Sequence, residues 1–148
     1  MNKFLTKIST IIKSLSGTSK KKLYADCIIR NEKNQILLLQ RSYQDDFEPG
    51  KWCLPGGKIE VNELSKEAAE RELEEETGLK EISLSFVSKK DRSDSTTEYF
   101  EGFCYSSTFQ ILDNGEHFRS QWVDDYKEYD LLLDLKETLS TLPLTIID

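Results

Sequence analysis

The chain has 148 residues, a length typical of one globular domain. Its formal net charge of −7 argues against broad nucleic-acid binding, which requires a basic surface. The three cysteines are widely spaced without a CxxC pair, and no apolar run reaches the ~18 residues of a membrane span. We therefore expect a cytoplasmic protein with reduced thiols, no zinc site, and no membrane or nucleic-acid partner.

Residues 1–22 are predicted to lie apart from the domain. Apolar residues recur at helical spacing from Phe4 to Leu15, with lysines among them, which predicts an amphipathic helix. Residues 17–22 have the composition of a linker, so the domain is expected to span residues 23–148. The helix is expected to dock on the domain or on a second subunit, as in a homodimer. A weak contact with a membrane surface is the alternative.

The domain is predicted to combine strands with two helices. β-branched, aromatic and apolar runs predict the strands, and Asn, Pro and Gly between them predict turns. In chain order the predicted strands are 23–30, 35–41, 52–54, 82–88, 98–109 and 118–123, and the helices are 63–77 and 126–139. The first two strands are expected to form a hairpin. This order predicts an α/β (α+β) fold with a mixed β-sheet.

The helix predicted from Glu63 to Thr77 carries glutamates on two opposite faces. Asn62 is a favourable N-cap for it, and Gly78 suits the position after its last turn. Successive residues of a helix advance by ~100° around its axis, which places Glu75 and Glu76 within ~60° of Glu72. The first face therefore combines two alanines with three glutamates: Ala68, Ala69, Glu72, Glu75 and Glu76. The second face is expected to be solvated and carries Glu63, Glu67, Glu70 and Glu74.

The first face should turn toward the protein, which would place three carboxylates together. Burying each charge would cost several kcal/mol unless positive partners offset it. Arg71 is one such partner, and a divalent cation would supply the remainder; hard oxygen ligands favour Mg²⁺ or Mn²⁺. The Gly56–Gly57 pair allows close approach of a ligand to the backbone. An ordinary solvated helix remains the alternative at this point.

The stretch from Gly57 to Leu79 matches a long pattern at fixed spacing, the Nudix box Gx5Ex7REUxEExGU. The matching residues are Gly57, Glu63, Arg71, Glu72, Leu73, Glu75, Glu76, Gly78 and Leu79. The chain therefore resembles the Nudix hydrolase family, and its PGGKIE sequence is most similar to the MutT-like branch. Asn62 stands where many members carry glycine, although the box does not require it. The resemblance implies an α/β/α sandwich.

The resemblance also implies a reaction and a set of site residues. The reaction is metal-dependent hydrolysis of the pyrophosphate link in a small-molecule nucleotide. The implied ligands of Mg²⁺ or Mn²⁺ are Glu72, Glu75, Glu76, the Gly57 carbonyl and Glu60. Glu63 and Arg71 would form a structural pair that fixes the loop against the helix.

Several substrate contacts and the general base remain open. Arg41 and Lys58 match positions that contact phosphate in MutT-like members; the alternative for each is an exposed, solvated cation. Trp52 is a candidate stacking platform for the base, with Tyr43, Phe47 and Trp122 as others, and Trp122 is expected in the core. The candidates for the base are Glu76, Glu98, Glu101 and Glu116.

The leading functional hypothesis is a pyrophosphohydrolase that converts a nucleoside triphosphate, such as the oxidised 8-oxo-dGTP, to its monophosphate and pyrophosphate. An alternative is a pyrophosphatase for nucleoside diphosphate sugars or ADP-ribose. A Nudix-fold binding module without turnover is a third, and the complete set Glu72, Glu75 and Glu76 argues against it.

Overall fold

The structure, a computed structural model, describes residues 20–105 and 117–145. The strands are β1 (Lys22–Asn31), β2 (Ile36–Arg41), β3 (Trp52–Cys53), β4 (Gly56–Lys58), β5 (Ser85–Asp91), β6 (Ser95–Cys104) and β7 (His117–Val123). The helices are α1 (Ser65–Thr77) and α2 (Leu135–Thr141), and a 3-10 turn spans Tyr126–Glu128. The predicted N-terminal helix and most of the predicted linker lie outside the described residues.

The seven described strands form one mixed sheet. Its main order is β3-β2-β1-β6-β5, while β4 pairs with β1 and β7 pairs with β2. Strands β1 and β6 run parallel, and the other pairs are antiparallel. The predicted hairpin of β1 and β2 is confirmed, and its turn is closed by Asn31, whose Oδ1 accepts hydrogen bonds from the backbone N–H groups of Lys33 and Gln35. The mixed sheet confirms the predicted fold class.

One helix covers each face of the sheet. Successive side chains of the central strand β1 point to opposite faces, so this strand contributes apolar residues to both. On one face α1 packs against the strands through a cluster that includes Ala25, Cys27, Ile29, Ala68, Ala69 and Leu73. On the other face α2 packs through a cluster that includes Ile28, Leu38, Tyr99, Leu135 and Leu139. Each buried Leu or Ile contributes roughly 1.5–3 kcal/mol. The first cluster therefore holds α1 over β1, and the second holds α2 on the opposite face.

Helix α1 begins two residues later than predicted. Leu64 occupies the N-cap position and Ser65 is the first helical residue, so the assignment of Asn62 as N-cap is wrong. Asn62 instead adopts a left-handed conformation in the preceding loop, with φ of 67°, which asparagine tolerates better than most residues. The predicted end is confirmed: Gly78 has φ of 75° and its N–H donates to the Glu74 carbonyl.

The single helix predicted for residues 126–139 is wrong. The chain makes a 3-10 turn at Tyr126–Glu128 and enters α2 only at Leu135. Between them the backbone pairs with β3: the Trp52 N–H donates to the Asp130 carbonyl, and the Leu132 N–H donates to the Trp52 carbonyl. These backbone groups therefore cannot join a helical hydrogen-bond ladder.

Strands β5 and β6 occupy most of the polar stretch 89–97 that was predicted to be a loop. Strand β5 extends to Asp91 and β6 already begins at Ser95, and the Arg92 N–H donates to the Ser95 carbonyl across the turn. Strand β6 pairs with both β1 and β5, which buries Thr96 and Thr97. The predicted continuation of this strand to residue 109 lies partly outside the described residues.

Candidate active site

The glycines of β4 and the glutamates of α1 meet beside β1 at one place. Strand β4 pairs with β1 so that Gly57 lies opposite Ala25 and Gly56 lies opposite Asp26. A Cβ on Gly57 would lie 2.5 Å from the carboxyl carbon of Glu72 on α1. The missing side chain of Gly57 therefore leaves the space into which the Glu72 carboxylate fits.

The three glutamates predicted to face inward differ in their exposure. The side chain of Glu76 is 2% exposed and that of Glu72 is 15% exposed, as expected for an inward face. Glu75 was expected to face inward as well, but its side chain is 58% exposed and lies at the rim. The solvated face is confirmed for three of its glutamates: Glu67, Glu70 and Glu74.

Arg71 links these glutamates to the loop that precedes α1. Its Nε donates to Glu63 Oε2 at 2.7 Å and its Nη2 donates to Glu63 Oε1 at 3.1 Å, which makes a bidentate pair. Its Nη2 also donates to the Lys58 carbonyl at 3.0 Å. Its Nη1 reaches Glu72 Oε1 at 2.9 Å and Glu75 Oε2 at 3.3 Å. One guanidinium thus orients two of the glutamates and fastens the loop to the helix.

The Glu63 side chain is only 14% exposed, so the expectation of a solvated position for it is wrong. The hydrogen bonds from Arg71, followed by the one from the Glu60 backbone N–H, hold the pKa of Glu63 below its usual range. The Glu63 carboxylate in turn raises the pKa of Arg71. Both groups are therefore charged at neutral pH, and the ion pair is permanent there.

Glu76 is fixed from two strands. Its Oε1 accepts a hydrogen bond from the Gly56 N–H at 2.7 Å. Its Oε2 lies 3.0 Å from Nδ1 of His117 on β7, a contact that is close but not aligned as a hydrogen bond. On its other side, His117 Nε2 lies 3.6 Å from the Cys53 sulfur. Sequence reasoning missed His117, although it is the single histidine of the chain.

Asp26 is a second residue that sequence reasoning missed. It stands on β1 beside Gly56, where a Cβ on that glycine would lie 2.2 Å from Asp26 Oδ1. The pKa of its carboxyl group is raised to about 7, first by burial and then by the charge of Glu76, with Arg92 opposing and Glu72 adding to the rise. A charged residue inside the apolar run LYADCIIR was the signal that could have identified it.

Two carboxyl groups of this cluster, Asp26 and Glu72, have raised pKa values. Burial raises the pKa of Glu72 first, Arg71 opposes this through its hydrogen bond, and Glu76 and Glu75 add to the rise. The rise means that the ionised form of Glu72, which burial removes from water, is only partly compensated by Arg71, an imbalance to which the neighbouring carboxylates add. A bound cation would relieve the imbalance.

The carboxylates of this cluster are of the type that binds a divalent metal ion, but they are not gathered into a closed ligand sphere. Within residues 20–105 and 117–145, no three His, Cys, Asp or Glu side chains gather closely enough to hold a metal in this conformation. However, the buried Oε2 of Glu76 accepts no aligned hydrogen bond from the described residues. Carboxylate oxygens are the donors that Mg²⁺ and Mn²⁺ prefer. Glu72 and Glu75 already lie close enough to share Nη1 of Arg71, and the chemistry of these residues fits such an ion.

Glu60, the remaining carboxylate expected to bind metal, lies near the Arg71 nitrogen that also contacts Glu72 and Glu75. Its side chain is 69% exposed and its Oε1 is 3.9 Å from Arg71 Nη1. Its backbone N–H donates to Glu63. The structure therefore places Glu60 in the loop that Arg71 fastens, at the edge of the cluster.

The two cations expected to contact phosphate differ in their surroundings. Arg41 Nη2 donates to Asp45 Oδ2 at 2.7 Å, its Nε donates to the Phe47 carbonyl, and its guanidinium lies 5.6 Å from the Phe47 ring centre. Arg41 is therefore engaged within its own loop. Lys58 is exposed on β4, next to Gly57.

Trp52 does not form the stacking platform that was expected. Its ring is buried in the α2 side of the core, where it packs edge-on against Tyr129 at 5.3 Å. The pairing of Trp52 with Gln40 of β2 directs it to that face. Tyr43 and Phe47 remain exposed, at 69% and 53%. Trp122 is half-buried against the α1 side of the core, as expected.

The later carboxylates considered as general base lie in different surroundings. Glu101 is buried, pairs with Arg30 at 3.2 Å and accepts a hydrogen bond from the Thr145 backbone N–H. Its carboxylate is thus engaged by Arg30 and by the backbone at Thr145, which argues against a role as general base. Glu98 lies opposite Ala25 in the register of β6 and β1, on the face that α1 covers. Glu116 lies outside the described residues.

The α/β/α sandwich and the carboxylate cluster define a class of hydrolase, and comparisons with known proteins agree. The crystal structure of the MutT protein from Methanosarcina mazei Go1 is similar at a TM-score of 0.66 and 26% identity, over 83% of this chain and 94% of that one. The NUDIX domain family model matches residues 20–141. The chain therefore belongs to the Nudix family and is a MutT-like Nudix hydrolase.

Two curated relatives carry more specific names. The chain is 30% identical over 128 residues to the nucleoside triphosphatase NudI of Klebsiella pneumoniae (strain 342), which covers 76% of this chain and 90% of that protein. It is 42% identical over 62 residues to the 8-oxo-dGTP diphosphatase of Escherichia coli (strain K12), which covers 42% of this chain and 47% of that protein. No helix in the described part of the chain has the length and apolar character to cross a bilayer.

Proposed function

We propose that this protein is a divalent-metal-dependent pyrophosphohydrolase that converts a nucleoside triphosphate to its monophosphate and pyrophosphate. The observation that carries the proposal is the acidic cluster of Asp26, Glu72 and Glu76 around the Gly56–Gly57 backbone, with Arg71 as its fixed cation. The names of the two curated relatives support a triphosphate, and an oxidised purine such as 8-oxo-dGTP is the first substrate to test.

The proposed cofactor is Mg²⁺ or Mn²⁺, held by Glu72, Glu75, Glu76 and the Gly57 carbonyl. When bound, such an ion would neutralise charge on the pyrophosphate oxygens and lower the pKa of a water molecule. The protein supplies the placement of its own donors. Arg71 orients Glu72 and Glu75, and the Gly56 N–H fixes Glu76.

The hydrolytic step requires a nucleophile, a proton acceptor and a leaving group. A water oxygen attacks a phosphorus of the anhydride between the first and second phosphates, and the bridging P–O bond breaks. The bridging oxygen departs with the electron pair on the leaving phosphate group, so that monophosphate and pyrophosphate separate. The water proton passes to a carboxylate of the cluster. Asp26, Glu76 and Glu98 lie on or next to the strands that form the site. Of these, Asp26 has its Oδ1 against Gly56, whose N–H donates to Glu76, so it is the first candidate base to test.

The test of this function is a substrate panel with purified protein. Canonical and oxidised nucleoside triphosphates, nucleoside diphosphate sugars and ADP-ribose would each be incubated with Mg²⁺ or Mn²⁺. Chromatography of the nucleotide products and a pyrophosphate assay would identify the bond that is cleaved. We expect monophosphate and pyrophosphate in equal amounts from a triphosphate. Turnover confined to sugars or ADP-ribose would exclude the triphosphate activity, and no turnover at all would exclude catalysis.

A matched pair of variants tests the metal role. Glu75→Gln keeps the shape of an exposed side chain but removes its charge, so turnover should fall at least ~100-fold. The free energy of unfolding should change by less than about 1 kcal/mol, because the ion pair with Arg71 is largely exposed. Glu70→Gln on the solvated face is the control and should retain activity. Full activity of Glu75→Gln at limiting metal would contradict the assignment.

We also place the protein in the cytoplasm. Cys27, Cys53 and Cys104 are all buried and none forms a disulfide, which is the usual state of thiols in a reducing compartment. Fractionation of the source cells, followed by immunodetection, would test this location.

A further inference from the structure

A register shift in the sheet determines which way His117 points. Strand β7 pairs regularly with β2 as far as Gln40 and Arg119, but the next pair joins Arg41 to His117, so one residue of β7 is extra. This is a β-bulge. In a regular strand His117 would share the face of Arg119 and Val123, and Val123 belongs to the α2 side of the core. The bulge moves His117 to the opposite face, which α1 covers.

On that face the imidazole lies between two groups. Its Nδ1 is 3.0 Å from Glu76 Oε2 and its Nε2 is 3.6 Å from the Cys53 sulfur. The side chains of His117 and Glu76 are only 9% and 2% exposed. The Gly56 N–H holds the other oxygen of the same carboxylate. Strands β4 and β7 thus confine Glu76 from two directions, and Cys53 supports the ring from behind.

This confinement has a consequence for cation binding. A glutamate that is free to rotate must lose that freedom when it becomes a ligand, which weakens binding. Here the Glu76 carboxylate is oriented in advance. Partners that orient a ligand in this way typically contribute 10–100-fold to metal affinity or activity. A bulge leaves an unpaired residue in the ladder and is typically found where a side chain must be re-aimed.

We propose that His117 is a positioning residue that orients Glu76 and thereby sets the affinity of the site for a divalent cation. This inference rests on the proposed function, in which Glu76 is a metal ligand. In this proposal His117 acts through Glu76 and is not itself a ligand. A histidine that only filled the core would affect folding stability but would leave the affinity of the folded protein for metal unchanged.

The experiment measures Mn²⁺ binding in the absence of nucleotide, from the electron paramagnetic resonance signal of free Mn²⁺. His117→Leu should weaken binding 10–100-fold. At saturating Mn²⁺ its KM for the triphosphate should remain close to that of the wild type. His117→Asn should recover most of the affinity, because the Asn amide nitrogen stands near the place of Nδ1. Arg119→Gln, an exposed position on the same strand, is the control.

A double-mutant comparison shows whether His117 acts through Glu76. In a Glu76→Gln background, the change His117→Leu should alter Mn²⁺ affinity by less than 2-fold, because no carboxylate remains to be oriented. An undiminished effect in that background would overturn the proposal. Equal Mn²⁺ affinity of folded His117→Leu and wild type would overturn it as well.

The experiment also covers a variant that does not fold and a wild type that does not bind Mn²⁺. If His117→Leu does not fold, as judged by circular dichroism, His117→Asn and His117→Gln replace it. The Gln amide reaches toward the place of Nε2, so Gln should bind Mn²⁺ more weakly than Asn, and equal affinities would overturn the proposal. If the wild type neither binds Mn²⁺ nor hydrolyses a triphosphate, the proposed function itself is refuted.

Discussion

The ion pair between Glu63 and Arg71 offers the sharpest test of how the loop is held against α1. The perturbations are Glu63→Gln, Arg71→Lys and the two combined. Lysine keeps the positive charge but cannot form the bidentate contact or reach the Lys58 carbonyl in addition. Arg71→Lys therefore separates the geometry of the pair from its charge, and the double variant completes the mutant cycle.

The magnitude follows from the contacts. Two charge-assisted hydrogen bonds, at 2.7 and 3.1 Å, join Glu63 and Arg71. Hydrogen bonds to charged groups contribute about 1.5–3 kcal/mol when buried. The Arg71 side chain is 25% exposed, which reduces the value. We expect a coupling energy of about 1–2 kcal/mol in the double-mutant cycle, and each single variant should lower the melting temperature by several °C.

The assay is urea unfolding of the metal-free protein at pH 7, followed by circular dichroism. Because the folded pKa of Glu63 is lowered, its stabilising contribution is present above the unfolded pKa of about 4.3 and is lost as the pH falls through the folded value. The coupling should therefore persist at pH 7 and shrink near pH 3. A coupling below about 0.3 kcal/mol at pH 7 would refute the interpretation that Arg71 fastens the loop.

Three other predictions concern single positions. Gly57→Ala should lower kcat at least ~10-fold, because the added Cβ displaces the Glu72 carboxylate. The free energy of unfolding should fall by only about 1 kcal/mol, since that side chain is flexible, and equal kcat values for the variant and the wild type would contradict the prediction. In metal-free protein, the stability of Asp26→Asn relative to wild type should rise from about pH 4 to pH 7, to at most about 4 kcal/mol, and then level off; over that range the unfolded wild type has released the Asp26 proton that the folded state, with its pKa of about 7, still binds, and urea titrations at each pH test this. Glu101→Gln should cost about 3 kcal/mol of stability with unchanged kcat, because buried Arg30 loses its carboxylate; a large fall in kcat would restore Glu101 as a base.

Local patterns predicted much of the fold. The strands β1 and β2, their hairpin and the end of α1 at Gly78 depend on residue type and short-range turns, and they are found where expected. Predictions failed where long-range pairing overrode local preference. Residues 130–132 pair with Trp52 instead of continuing a helix, and residues 89–91 and 95–97 become strands because β6 lies between two partners.

For the site, the sequence by itself determined the spacing that places Glu72 and Glu76 on the inward face of α1, together with the glycines that admit them. Those properties follow from helical periodicity and the absence of a Cβ, which are local. The exposure of Glu75 at the rim depended on how α1 sits on the sheet.

Only the tertiary structure decided the recruitment of Asp26 and His117. Asp26 reaches the cluster through the pairing of β1 with β4. His117 reaches it through a single register shift against β2. The physical reason is that side chains alternate along a strand, so the register of a distant partner decides the face on which a residue lies, and no local pattern in the sequence carries that register.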